Sequence, residues 1–200
     1  MRLTIELSNT NELKKVMQLL QSLQIKEVNI ATTINSATPT SVAAPKSEAH
    51  NSMGEATFWE IIHHLAWEKA GDNTAVLKPA AALLMQYSKA DIFAFHDLLS
   101  EKLYHLDGQQ FVENASTEEA ISADLFLYAR CFVVASGKAV YYQTLNNPSL
   151  FPKNLFFDEL LYLPESAWQL KTNQSYTHLP KHMYETGFNQ EGWGEKAIVL

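Results

Sequence analysis

A nearly continuous apolar run that carries one arginine is the feature that most constrains this sequence. Residues 123–135 read ADLFLYARCFVVA, and Ser122 before them is a suitable helix N-cap. Because the run is apolar on nearly every helical face, it predicts the central buried helix of a bundle. Arg130 lies within it and cannot lose its charge, so it requires a buried carboxylate, backbone carbonyls or an anionic ligand. Its neighbour Cys131 is expected to be a buried, unreactive thiol.

Two interpretations of Arg130 remain open. In the first, which we favour, the guanidinium forms a structural ion pair with Glu159 or Glu185. Asp124 is a poor partner because it lies on a different face of the same helix. In the second interpretation, Arg130 anchors the carboxylate or phosphate group of a small ligand in a cleft. The other side chains around that cleft would be Tyr128, Glu185, Asn189 and Trp193.

The chain divides by composition into three parts. Residues 1–31 show strand-like and helical periodicity in turn and predict a small β-α-β unit. Residues 32–54 are rich in Ser, Thr, Ala and Pro and are typical of a flexible linker. Residues 55–200 predict a helical domain with an irregular C-terminal tail. The predicted fold class is therefore mainly α, and α+β overall. Because a lone β-α-β unit leaves sheet edges uncovered, we expect it to pack in cis or to form a homodimer.

Helix signals recur through the predicted helical domain. Thr57 and Glu60 have the spacing of a capping box that opens the first helix. A second helix is expected over residues 80–87, with Pro79 tolerated only in its first turn. A third helix should start at Ser88 and end near Gly108. Shorter helical stretches are predicted after the Gly137 interruption, over residues 140–145, 156–163 and 165–170.

An acidic charge balance limits the partners. The 200 residues carry a formal net charge of −7, with a pI near 5.5. We therefore expect no nucleic-acid binding, which would need several lysines on one face. No apolar run approaches the roughly 20 residues that cross a bilayer, and the N-terminus lacks the apolar core of a signal peptide. A cytoplasmic protein without membrane contact is expected. The lysines that a nucleic-acid face would require are Lys69, Lys78, Lys89 and Lys102.

No motif for metal binding or catalysis stands out in the sequence. His63 and His64 are neighbours on one helix and point about 100° apart. His178 and His182 are separated by a proline, so they do not share a regular helical face. The segment 184–193 lacks the glycine patterns that hold phosphates. We therefore expect no metal site, no cofactor and no catalytic residues.

These observations favour a non-catalytic interaction or regulatory module with an unknown protein partner. The alternative is a small-molecule-binding protein or enzyme with a pocket around Arg130 and residues 184–193. The two hypotheses differ in one observable property. Arg130 is either capped by a carboxylate and sealed from solvent, or it opens into a concave pocket.

A set of short motifs over about residues 56–193 is characteristic enough to compare with known families. They are Phe58–Trp59, residues 124–131, Gly137, Tyr141–Tyr142, Asn147–Pro148, residues 157–161 and residues 184–193. Together they resemble a bacterial family of uncharacterised proteins, the domain of unknown function 4240. The resemblance implies a mainly helical domain, with no assigned activity and no catalytic residues to transfer. Phe188 departs from the family pattern, in which a small polar residue is usual.

Overall fold

The computed structural model describes residues 53–116 and 121–194. All of them belong to Asn51–Leu200, the second of the two units into which the chain divides. Across these residues the secondary structure is helical and contains no strand, which confirms the mainly α part of the predicted fold class. The predicted β-α-β unit and linker lie outside the described residues, apart from residues 53 and 54.

Most of the helices follow one another with short connections, and a longer irregular segment separates the last two. Three 3-10 helices lie between them, at Trp67–Lys69, Pro148–Leu150 and Asp158–Tyr162. The α-helices in chain order are α1 (Glu55–His63), α2 (Asn73–Leu84), α3 (Lys89–His105), α4 (Gln109–Ala115), α5 (Ala123–Ala135), α6 (Lys138–Asn146), α7 (Leu163–Thr172) and α8 (Gln190–Trp193).

The helices α3 and α5 begin where the sequence predicts because serine side chains cap them. The Ser88 hydroxyl accepts a hydrogen bond from the Asp91 amide, and the Asp91 carboxylate accepts one from the Ser88 amide, which completes a capping box. The Ser122 hydroxyl accepts from the Leu125 amide at 3.2 Å. The two helices pack against each other, and α5 has eight buried residues among its thirteen. The prediction of a central buried helix is confirmed.

The predicted start of the first helix is wrong. The helix α1 begins at Glu55 rather than at Thr57, and Gly54 is its N-cap. The Glu55 carboxylate fixes this first turn because it accepts hydrogen bonds from Trp59 Nε1, at 2.9 Å, and from the Tyr142 hydroxyl. The capping pattern at Thr57 therefore does not set the start of the helix, because a contact with Tyr142, distant in sequence, stabilises an earlier turn.

The second helix also begins earlier than predicted, so Pro79 lies in its interior. Asp72 caps α2, and its carboxylate accepts a hydrogen bond from the Ala75 amide at 3.0 Å. An interior proline removes one intrahelical hydrogen bond and costs about 3 kcal/mol. Burial of one complete face of the helix offsets that cost. The buried residues of this face are Val76, Leu77, Ala80, Ala81 and Leu84.

The later helices occur at the predicted places with different bounds. Residues 140–145 lie within α6, and Gly137 precedes this helix with φ of 97°, a conformation that favours glycine. Residues 156–163 form a 3-10 helix at Asp158–Tyr162, and residues 165–170 lie within α7. After α7 the chain is irregular up to α8.

None of the helices in the described part of the chain is both long and apolar enough to cross a membrane.

Candidate functional site

The Arg130 side chain is fully buried, and protein groups surround its guanidinium. Its Nη1 donates a hydrogen bond to the Leu103 carbonyl at 3.0 Å, and its Nη2 donates to the Thr186 hydroxyl at 2.9 Å. The Cζ atom lies 4.9 Å from the centre of the Phe126 ring. Burial lowers the pKa of the guanidinium, and the charge of Asp107 opposes this effect. Arginine stays protonated in proteins, so the site holds a full positive charge.

Asp107 supplies the negative charge that faces Arg130, with Oδ1 4.0 Å from Nη1. Both side chains are fully buried. The carboxylate accepts hydrogen bonds from the Gly187 amide at 3.0 and 3.1 Å and from the Asn189 amide at 2.9 Å. It also accepts one from Trp193 Nε1 at 2.9 Å. The tail therefore supplies the hydrogen-bond donors that a buried carboxylate requires.

Further contacts hold the tail over this pair of charges. Asn189 Nδ2 donates to the Tyr104 carbonyl at 3.0 Å, and the Thr186 hydroxyl donates to the Ala123 carbonyl at 2.7 Å. Gly192 lies directly against Gly108, so a Cβ atom on Gly108 would be 2.8 Å from the Gly192 carbonyl oxygen. Only a chain without side chains at both positions comes this close. We call residues 184–193 together with Asp107 and Arg130 the tail clamp.

The predicted ion pair of Arg130 with Glu159 or Glu185 is wrong, because Asp107 is the counter-ion, a residue that was not predicted. Glu159 accepts a hydrogen bond from Asn73 at 2.8 Å, and Glu185 is exposed. Neither forms an ion pair with Arg130 among the described residues. The signal for Asp107 in the sequence was its position directly after Leu106, the C-cap residue of α3, which is itself fully buried.

Of the other side chains of the hypothetical cleft, the tail residues lie near Arg130, whereas Tyr128 points away from it. Asn189 and Trp193 lie in the tail clamp, where their side chains contact protein groups. Tyr128 is two residues from Arg130 on α5, so the two side chains point about 200° apart. The hydroxyl of Tyr128 lies in the field of Asp124 and Asp158, and burial and these charges raise its pKa.

A second polar cluster fastens the tail to the middle of α3. Asp97 Oδ1 accepts hydrogen bonds from His178 Nε2 at 2.8 Å and from the Lys181 amide at 3.1 Å. His96 Nδ1 lies 3.0 Å from the Tyr176 hydroxyl, whereas its Nε2 is buried without a hydrogen-bond partner. Burial, and then the charge of His178, lower the pKa of His96 to about 4. The His96 imidazole is therefore neutral at pH 7.

Two of the lysines named for a nucleic-acid face are engaged within the domain. Lys102 is buried, and its Nζ lies 3.1 Å from Glu101 Oε1 and 3.6 Å from Glu55 Oε1. Lys89 Nζ lies 5.3 Å from the centre of the Trp168 ring. Over residues 53–116 and 121–194, no three His, Cys, Asp or Glu side chains are grouped so as to hold a metal ion. Cys131 is fully buried, and burial raises the pKa of its thiol.

The fold and the site define a helical domain whose C-terminal tail covers a buried Arg–Asp pair. A family model, described as a protein of unknown function (DUF4240), matches residues 53–170. The chain therefore belongs to this family, and the resemblance from the sequence is confirmed. The matched range ends within α7, so the tail motif at residues 184–193 lies beyond it. No curated protein and no solved structure matches the chain.

Proposed function

We propose that this protein is a non-catalytic interaction module of the cytoplasm, in which the tail clamp has a structural role. The observation that carries the proposal is the complete burial of Arg130. A guanidinium that anchors a small anion needs an approach from solvent and free donors directed towards the ligand. Here the two terminal nitrogens donate to Leu103 and Thr186, and the counter-charge is Asp107.

The alternative function is binding of a small anionic molecule at Arg130. One observation favours it, because the buried Nε atom of Arg130 has no hydrogen-bond partner. Such a ligand would have to displace residues 184–193, and the displacement would break the hydrogen bonds that the tail donates to Asp107. Since each orphaned buried acceptor costs about 1–3 kcal/mol, we place this alternative second.

A thermal-shift panel separates the two functions. The full chain is heated with phosphate, sulfate, citrate, acetate and a set of divalent metal ions. The proposal expects no increase in the melting temperature beyond the general effect of ionic strength. An anion that raises the melting temperature of the wild type, and has no effect on Arg130→Lys, would contradict it, because ligands that prefer the native state stabilise that state. Glu113→Gln, on the exposed side of α4, serves as the matched control.

Self-association is the second part of the proposal. Because a lone β-α-β unit leaves sheet edges uncovered, we expect a homodimer formed through residues 1–31. Light scattering on the full chain should give a mass of twice 22.6 kDa, and deletion of residues 1–52 should reduce it to the monomer value. We expect the shortened protein to remain folded because the apolar cluster formed by residues 53–193 supplies a core of its own. A mass that the deletion leaves unchanged would contradict this part.

A further inference from the structure

One face of the domain carries large apolar side chains that are exposed and do not belong to the buried core. It lies where α5 faces the 3-10 helix before α7, and the two elements pack against each other. Three large apolar side chains stay exposed there: Leu125 at 41%, Phe156 at 39% and Tyr162 at 55%. Leu125 and Tyr128 are three residues apart and share one side of α5. The Phe157 amide donates to the Tyr128 carbonyl at 3.1 Å, which fixes the connecting segment beside the helix.

Two carboxylates lie beside Tyr128 on this face. Asp124 lies in the first turn of α5, four residues before Tyr128, and Asp158 begins the neighbouring 3-10 helix. Burial raises the pKa of the Tyr128 hydroxyl, and the negative charges of Asp124 and Asp158 raise it further. We call the whole surface the acidic aromatic face, and its members are Asp124, Leu125, Tyr128, Phe156, Asp158 and Tyr162.

We propose that the acidic aromatic face docks a basic, amphipathic segment of a partner protein. This inference rests on the proposed function as an interaction module and names the chemistry of its partner. Exposed Tyr, Phe and Leu side chains provide the apolar centre that interfaces use for affinity. The flanking carboxylates attract Lys and Arg side chains and set the orientation of the bound segment.

The charge of the face argues against two other occupants. In a symmetric dimer, the same patch meets itself, so Asp124 and Asp158 of one copy would approach the same carboxylates of the other. Like charges placed opposite each other across an interface cost several kcal/mol. An anionic membrane surface is repelled for the same reason, since it attracts basic rather than acidic segments. A basic protein segment is the occupant that satisfies both the apolar and the charged groups.

Nuclear magnetic resonance of the ¹⁵N-labelled full chain tests the proposal with a defined probe. The probe is a synthetic helical peptide with Leu on one face and Lys on the other, and a second peptide has Ser in place of every Leu. We expect the first peptide to shift the amide signals of residues 124–128 and 156–162. Tyr162→Ser, and the double variant Asp124→Asn with Asp158→Asn, should each weaken binding by about tenfold or more, as substitutions at the centre of an interface do.

Matched variants on other surfaces provide the controls. Leu179→Ser removes an apolar side chain that is 86% exposed on the tail, and it should leave the dissociation constant unchanged. The double variant Glu113→Gln with Glu191→Gln removes two exposed charges outside the face. It therefore measures how much of the binding comes from non-specific attraction between the acidic protein and the basic peptide. The control positions Leu179, Glu113 and Glu191 are exposed, and circular dichroism verifies that each variant is folded.

Five outcomes overturn the proposal. In the first two, the Leu peptide does not bind, or the variants of the face bind it as tightly as the wild type does. In the next two, the two glutamate substitutions weaken peptide binding as much as the variants of the face do, or the Ser peptide binds as tightly as the Leu peptide. Shifts of the same signals with protein concentration, rather than with peptide, would assign the face to a second copy and also overturn it. If the peptide experiment fails and no anion raises the melting temperature through Arg130, the docking proposal is wrong but the proposed function is retained. An anion that binds through Arg130 contradicts the proposed function whatever the peptide does.

Discussion

Substitution of Asp107 by Asn tests the energetics of the tail clamp, because it removes the charge and preserves the shape. Arg130 then remains charged and fully buried without its counter-ion, and loss of one partner of a buried pair costs about 3–5 kcal/mol. Each carboxylate oxygen accepts at least two hydrogen bonds from the tail, so the new amide nitrogen necessarily faces donors. These two losses concern the same contacts and do not add, so we expect Asp107→Asn to reduce the free energy of unfolding by about 4 kcal/mol.

Urea unfolding of the full chain, followed by circular dichroism and by tryptophan fluorescence, measures this loss. For a domain of this size the slope is about 2 kcal/mol per molar urea, so the midpoint should fall by about 2 M. Asp124→Asn is the control, because Asp124 is exposed and its removal should cost less than about 1 kcal/mol. Arg130→Leu should also cost several kcal/mol, and the double variant should lose less than the sum of the two. A loss below about 1 kcal/mol in Asp107→Asn would refute the buried ion pair.

Three further perturbations test other parts of the account. The pKa of His96 is lowered from 6.5 to about 4, so the fold favours the neutral imidazole; stability should fall by up to about 2–3 kcal/mol as the pH drops from 6.5 to 4. In His96→Gln, the free energy of unfolding from urea titrations should depend less steeply on pH over this range. An unchanged pH dependence would contradict the lowered pKa of His96. Gly192→Ala would drive a Cβ atom into the Asp107 carbonyl, so Trp193 fluorescence should shift to longer wavelength, whereas Gly54→Ala meets open space and should leave it unchanged. Cys131 should react with a maleimide only in urea, since its thiol is fully buried; rapid labelling of the native protein would show that α5 is not the central helix.

The sequence predicts those parts of the fold that depend on local signals. Ser88 and Ser122 cap α3 and α5 through hydrogen bonds to residues three positions later, and such contacts can be recognised from spacing alone. The start of α1 could not be predicted in this way. Its first turn depends on a hydrogen bond from Tyr142 to Glu55, and no local pattern connects residues 87 positions apart.

In the candidate site, too, the sequence near Arg130 predicts one feature, whereas another depends on residues far away in the chain. The helical pattern around Arg130 implies that the side chain needs a buried partner, because the surrounding residues are apolar. The identity of that partner depends on the conformation of the tail, whose amides turn towards Asp107. Three-dimensional information is therefore needed to choose Asp107 over Glu159 and Glu185 as this partner. Grouping Tyr128 with Arg130 around one cleft, by contrast, neglected helix geometry, since residues two apart point in nearly opposite directions.

Solvent exchange of the Arg130 Nε proton tests the central claim most directly. This proton has no hydrogen-bond acceptor, so burial under the tail is what protects it from water. In the full chain labelled with ¹⁵N-arginine, the signal that disappears in Arg130→Lys identifies it. We expect its exchange at pH 7 to be slower than that of free arginine by about 100-fold or more, which corresponds to an opening free energy of about 3 kcal/mol. Exchange at the rate of free arginine would show that the guanidinium is open to solvent and would contradict the sealed tail clamp.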